Sequence, residues 1–238
     1  MGISEALRTI QEKIQNSAVK AGRDSDNIRL IAVSKTVDLQ GIIEAVAAGV
    51  AILGENRVQE AKEKIKNYKP YLPAGRLQIT NSRVEWHLIG NLQKNKVKTA
   101  VQLFDLIHSV DSEVLTEELE KHARKTGKKQ RVLVQVKLSD EESKHGVSED
   151  NLTGLLEKIC STGNLKFEGL MTIPPFFKDP EKSRPYFIRL RQLADKFSAR
   201  GFPINELSMG MSNDFEIAIE EGATMVRIGT AIFGERSH

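Results

Sequence analysis

Short apolar runs alternate with amphipathic stretches from one end of the chain to the other. Ile3, Leu7, Ile10 and Ile14 recur at helical spacing and predict an opening helix that Gly22 ends. Strand-like apolar runs follow at 28–33, 50–53, 84–89, 103–110, 132–138, 167–173, 207–211 and 224–228. The intervening segments 38–48, 56–67, 92–101, 112–125, 148–160, 180–199 and 213–221 mix polar and apolar positions as helices do. Asp38 and Ser148 suit helix N-caps, and Asn213 precedes Glu216 at capping-box spacing. Gly49, Gly127, Gly163, Gly201 and Gly222 fall where helices should stop. Eight strands alternating with helices, with no linker between them, predict one (β/α)8 TIM barrel domain over 1–238 with an extra N-terminal helix. A doubly wound open sheet fits less well, because no Gly-x-Gly-x-x-Gly follows the first strand.

Composition narrows the class. The 238 residues approach the ~250 typical of this barrel. No apolar run approaches the roughly 20 residues of a membrane span, and the start lacks a signal peptide's basic and apolar regions. A soluble cytoplasmic protein, not a membrane protein, is expected. The one cysteine, Cys160, leaves no intramolecular disulfide and argues against a cysteine metal site. With Leu155, Leu156 and Ile159 beside it, Cys160 is expected on a buried helix face. Thirty-five basic residues against 32 acidic ones are too balanced for a dedicated nucleic-acid binder. The one basic cluster, 121–131, reads as the solvated end of a helix that Gly127 stops.

The barrel says where chemistry should lie, because its active sites form at the carboxyl ends of the strands. Those ends carry Lys35, Glu55 with Asn56, Gly90-Asn91, Ser109 with Asp111, 140–146, Met171-Thr172, 208–213 and 227–230. Lys35 ends a β-branched run, so its amine sits at the mouth of a sheet. Desolvation lowers a lysine's pKa, and the neutral amine forms Schiff bases; the alternative is a strand-end lysine that pairs with a carboxylate. After the seventh run, Ser208-Met-Gly-Met-Ser-Asn213 offers Gly210 for close backbone approach and Ser212 for a hydroxyl bond. Arg227 lies on an otherwise apolar strand and needs an acceptor; Gly229 and Thr230 beyond it suit a phosphate. A lysine facing a phosphate cradle suits pyridoxal 5′-phosphate (PLP).

Ordered stretches carry a family resemblance: 31–36 (IAVSKT), 53–60 (LGENRVQE), 86–96 (WHLIGNLQKNK), 107–111 (IHSVD), 140–146 (DEESKHG), 169–171 (GLM), 207–214 (LSMGMSND) and 225–234 (MVRIGTAIFG). The chain resembles the pyridoxal phosphate homeostasis protein family, whose fold is similar to the alanine racemase N-terminal barrel. The resemblance implies that Lys35 forms the internal aldimine with PLP and that Asn56 lies beside the ring. It implies that Ser208, Ser212, Gly229 and Thr230 take the phosphate, with Met211 in the same cofactor-binding turn. Arg227 matches the arginine that faces the pyridine nitrogen, where a group without an acceptor keeps that nitrogen unprotonated. Two positions depart from the pattern: Arg57 stands where an aromatic is common, and Lys137 where asparagine is frequent.

Other residues carry simpler expectations. His87 and His108 read as hydrogen-bonded barrel histidines, not metal ligands, since no acidic or cysteine partner has ligand spacing with either. Trp86 should pack beneath the helices, and 174–177 (PPFF) should be a packed apolar loop. Alanine racemase needs a second base, a tyrosine from a separate β-domain, and this chain ends soon after its eighth strand run. Tyr68, Tyr71 and Tyr186 fall in helix or loop segments. The sequence therefore favours a non-catalytic, monomeric carrier in vitamin B6 homeostasis, with PLP-dependent apoenzymes as recipients. A catalytic fold-type III racemase or lyase is the alternative, and a cofactor-sensing interaction protein is a third reading.

Overall fold

The computed structural model describes residues 2–68, 84–139, 141 and 145–234. Eight parallel strands close into a barrel: β1 Arg29–Val33, β2 Ile52–Glu55, β3 Glu85–Leu88, β4 Leu106–Val110, β5 Gln130–Gln135, β6 Leu165–Met171, β7 Glu206–Met211 and β8 Met225–Ile228. Closure pairs β1 with β8, placing Ile31 beside Arg227. Around the strands run α1 Ile3–Lys20, α2 Leu39–Ala47, α3 Val58–Tyr68, α4 Val97–Leu103, α5 Glu113–Thr126, α6 Glu149–Cys160, α7 Arg184–Ser198, α8 Phe215–Glu220 and the short α9 Thr230–Phe233. Among the described residues no helix is long and apolar enough to cross a membrane.

Strand alternation sorts the apolar residues into two layers. Ile31, Ile52, Leu106, Leu133, Met171 and Met225 fill the barrel interior. Their outward neighbours join the helices in a larger outer core, where Trp86 packs edge-on against Tyr68 at 6.2 Å. The predicted caps hold in part. Asp38 accepts from the Gly41 N–H at 2.8 Å, and Gly127 ends α5 in the left-handed conformation at φ 65°. Ser148 occupies the N-cap of α6 without a side-chain bond. Asn213 does not cap the next helix: α8 starts at Phe215, and the Asp214 carboxylate instead accepts from the Met211 N–H at 2.7 Å, closing the turn after β7.

Several expectations need correction. The apolar run 103–110 is a helix end followed by a strand, because Leu103 closes α4 and β4 begins at Leu106. Cys160 is exposed. It is the last residue of α6, whose core face ends with Ile159, and one more residue turns the chain about 100° away from the core. Arg131 is not part of a solvated helix end. It lies in β5 near the amino-terminal mouth of the barrel, where its Nη1 meets Glu85 at 2.9 Å and its Nε meets Glu168 at 3.0 Å. Phe176 does not pack; its side chain stands 74% exposed beyond β6. Residues 140 and 142–144 of the rim stretch, Tyr71, and the terminal 235–238 lie outside the described residues.

Candidate functional site

A cavity of about 490 Å³ opens at the carboxyl ends of the strands. A larger one, about 700 Å³, lies at the amino-terminal side near Lys129, Arg131 and Cys160. Volume does not choose between them; chemistry does. The larger cavity's cations are already engaged: Arg131 with Glu85 and Glu168, Lys166 with Glu168, and Lys129 with the Gly163 carbonyl. The carboxyl-end cavity gathers Lys35, Asn56, Met211, Ser212, Arg227, Gly229 and Thr230 from the ends of β1, β2, β7 and β8 and the turns after them. These are seven of the eight residues expected from the sequence; Ser208 is not among them.

Local geometry places each one. Beyond β1 the Ser34 N–H still donates to the Gly54 carbonyl at 2.9 Å, so the chain holds its line until Lys35. The next residue, Thr36, is left-handed at φ 62°, and Val37 N–H turns back to the Ser34 carbonyl at 3.0 Å. Lys35 stands on that turn at the cavity wall. Asn56 follows β2 and touches the chain after β3 so closely that a Cβ on Gly90 would lie 2.3 Å from the Asn56 carbonyl oxygen. Across the cavity the Gly229 N–H reaches Ser212 Oγ at 3.3 Å, tying the loops after β7 and β8 together. Gly210 serves packing rather than ligand approach: at φ 90°, its Cβ would fall 2.5 Å from the Ala218 Cβ of α8.

Arg227 is the floor of the cavity and is almost wholly buried. Its Nη1 donates to Ser208 Oγ at 2.6 Å and its Nη2 to the Thr172 carbonyl at 2.9 Å. Burial lowers its pKa to about 10, which leaves it a cation at neutral pH. Ser208, expected on the phosphate, is instead fully buried beneath Arg227. The reason is its place inside β7, three residues before the strand's last residue Met211, where it pairs with Met225.

Ser208 begins a hydrogen-bonded chain down the barrel interior. Ser208 Oγ meets His108 Nδ1 at 2.9 Å, His108 Nε2 meets His87 Nδ1 at 3.0 Å, and His87 Nε2 meets Glu85 Oε2 at 3.0 Å. The bond to His87, with Arg131 beside it, holds the Glu85 carboxyl at about 2, so it only accepts. Burial lowers both histidine pKa values, His108 well below the ordinary value. Two neutral rings above an accepting carboxylate leave one arrangement. His87 donates from Nε2 to Glu85, His108 donates from Nε2 to His87, and Ser208 donates to His108 while accepting from Arg227. Every proton in the chain points away from the cavity. The histidines are thus hydrogen-bonded barrel residues, as expected.

Lys137 does not line the cavity; its backbone N–H donates to the Val147 carbonyl at 2.9 Å beyond the end of β5. Arg57 is exposed just ahead of α3. The sequence reading gave no individual role to Gln135, His145 or Asp214, which also line the cavity, although His145 falls in the rim stretch 140–146. Counting by twos from the inward Leu133 would have found Gln135; His145 lies in a loop, where periodicity gives no orientation. Tyr186 stacks at 6.0 Å on Phe177, a residue of the cavity lining, and is not itself among the lining residues.

The residues present fit PLP. An amine, a hydroxyl and glycine-flanked N–H groups line the wall, and a donor-only cation forms the floor. Asp214, a carboxylate at the rim, already accepts from Met211. The volume lies within the range of small-molecule sites.

The family profile described as "Alanine racemase, N-terminal domain" matches residues 6–237. A pyridoxal phosphate homeostasis protein from Aquifex aeolicus (strain VF5) is 44% identical over 239 residues, covering all of both chains. One from Mus musculus is 40% identical over 252 residues, covering all of this chain and 88% of its own. Among solved structures, PipY of Synechococcus elongatus PCC7942 with PLP bound aligns at a TM-score of 0.83 and 35% identity, covering 98% of this chain and all of its own. An alanine racemase from Clostridium difficile 630 aligns at a TM-score of 0.68 and 18% identity, covering 98% of this chain but 58% of its own, and shares the fold.

Proposed function

The chain belongs to the alanine racemase N-terminal domain family, and within it to the pyridoxal phosphate homeostasis proteins; from that premise we propose that it binds PLP reversibly through Lys35 and serves intracellular vitamin B6 homeostasis. The observation that carries this reading is that Lys35, Ser212, Gly229, Thr230 and Arg227 line one cavity, with Lys35 and Gly229-Thr230 on the neighbouring ends of β1 and β8. When bound, the cofactor supplies an aldehyde that an amine can capture and a ring that stabilises adjacent negative charge. Lys35 supplies the amine. Ser212 and the backbone N–H groups of Gly229 and Thr230 would hold the phosphate, and Asn56 and Met211 would flank the ring. Arg227 would donate to the ring nitrogen; having no lone pair to offer, it keeps that atom unprotonated and weakens the ring as an electron sink. Such a site holds its cofactor more readily than it drives proton abstraction.

The whole barrel would act as one cofactor-binding domain, as a cytoplasmic monomer that passes PLP to PLP-dependent apoenzymes. The test is an absorbance spectrum with PLP before and after borohydride, with mass mapping of the reduced adduct. Lys35→Ala should lose the reducible adduct with its melting temperature unchanged within about 2 °C, since Lys35 is a half-exposed turn residue. An adduct that persists at another lysine would refute the assignment.

His145 at the cavity wall favours keeping a second reading, a catalytic one, because an imidazole there could handle a proton. Amino acids of many classes added to the loaded protein decide between them. Exchange of their α-protons with solvent at ordinary turnover rates, lost in His145→Ala, would replace the carrier reading with an enzymatic one.

A further inference from the structure

The turn that carries Lys35 is held from both sides by one face of α3. Lys64 Nζ lies close to three acceptors: the Ser34 carbonyl at 2.5 Å, Glu60 Oε1 at 2.6 Å and Glu55 Oε1 at 2.9 Å. Ser34 Oγ also donates to Glu55 Oε1 at 2.6 Å, deep in the structure. On the other side of Lys35, the Thr36 N–H donates to Glu60 Oε1 at 2.5 Å. Residues 34 and 36 are therefore both tied to the Glu60–Lys64 pair, one helical turn apart, and Glu55 anchors the pair to β2.

Thr36 explains why such a hold is needed. Among the described residues it is the one non-glycine with positive φ. A β-branched residue in that region is strained and relaxes unless its surroundings prevent it. The Glu60 bond to its N–H is the contact that prevents it.

We propose that Glu60 and Lys64, anchored by Glu55, are positioning residues that aim the Lys35 amine into the cavity. An ammonium has three N–H donors, and those of Lys64 meet three acceptors, two of them carboxylate oxygens. Lys64 is thereby engaged on three sides beside the turn that carries Lys35. This inference rests on the proposed capture of PLP by Lys35 and deepens it by naming what directs that lysine.

The experiment compares wild type with Glu60→Ala, Glu60→Gln and the double variant Glu60→Ala/Thr36→Gly. Three readouts apply: amide hydrogen exchange at Thr36 without ligand, the rate of PLP capture by absorbance, and mass mapping of the borohydride-reduced adduct. Glu60→Ala should speed Thr36 exchange and slow capture by about ten- to hundredfold, the scale of a small misplacement of a reacting group. The adduct that does form should still map to Lys35. Glu60→Gln keeps an oxygen acceptor for the Thr36 N–H and should capture within about threefold of wild type. Glycine at 36 adopts the left-handed turn without strain, so the double variant should recover most of the lost rate.

Glu60→Ala capturing at the wild-type rate, or a double variant no faster than the single one, overturns the inference, whatever happens to exchange. Wild type that captures no PLP overturns the proposed function and this inference with it. Failure in the variants alone overturns only the positioning role.

Discussion

Ser208→Ala separates two roles for one residue. A phosphate ligand at this position would lose cofactor affinity on truncation and little stability. The structure instead places the hydroxyl between Arg227 Nη1 at 2.6 Å and His108 Nδ1 at 2.9 Å, with no exposure. Alanine would leave a buried cationic donor and a buried ring acceptor unpaired at once. A bond to a charged group is worth about 1.5–3 kcal/mol, and an unsatisfied neutral group costs about 1–3 kcal/mol. The serine's own desolvation, avoided in the variant, offsets part of the sum. The expected net loss is about 3 kcal/mol, which for a chain of this length lowers the melting temperature by roughly 6–12 °C. Urea denaturation at neutral pH, with calorimetry alongside, measures it. A variant within about 0.5 kcal/mol of the parent, but weakened in PLP binding, would refute the strut and restore the phosphate role.

Two further predictions concern the barrel interior and the cavity wall. The lowered histidine pKa values mean that the unfolded chain binds more protons than the folded one below the unfolded value of about 6.5; their share of stability is whole above that pH and lost as pH falls through it. The ring signals of His108 should accordingly stay at their neutral positions between about pH 6 and 8, and titration within that window would refute the assigned tautomers. Gly90→Ala should force the Asn56 backbone away, because the new Cβ meets its carbonyl oxygen at 2.3 Å. A destabilisation of about 2 kcal/mol or more with weaker PLP binding is expected, and an unchanged affinity would detach Asn56 from the cofactor site.

Much of this architecture is legible in the sequence for a physical reason. Barrel strands are buried on both faces, so they read as continuous apolar runs, and the polar residues that end them mark the reactive rim. Lys35, Asn56, Ser212, Gly229 and Thr230 all stand just past such runs. What continuous runs hide is depth and division. Nothing in 103–110 says that a helix ends and a strand begins within it, because both are apolar. Ser208 reads as a rim residue because it opens a polar turn, but it lies inside β7, three residues short of the strand's end and level with Met225. His87 and His108 are recognisable as inward residues, but their partner Ser208 comes from across the barrel, a hundred positions along the chain. The Glu60–Lys64 hold on the Lys35 turn is hidden in the same way: its spacing is that of any exposed helical ion pair.

The direction of the interior hydrogen bonds bears on what the cavity can do. From Arg227 through Ser208, His108 and His87, each group donates toward Glu85, whose carboxyl is held at about 2. To deliver a proton upward, that chain would have to reverse every bond and protonate a buried imidazole that its surroundings keep neutral. The floor therefore supplies a fixed positive charge and no exchangeable proton. Proton handling at the cavity falls to Lys35, His145 and Asp214 among its described lining residues, and Asp214 already accepts from the Met211 N–H. Racemisation removes a proton from one face of a carbon and returns it to the other, which needs two such groups on opposite sides. Reversible capture of an aldehyde needs only one amine. If His145→Ala captures and releases PLP as wild type does, the cavity needs nothing beyond Lys35 and its supports to act as a carrier; if capture fails in that variant, the imidazole belongs to the machinery and the one-amine account is wrong.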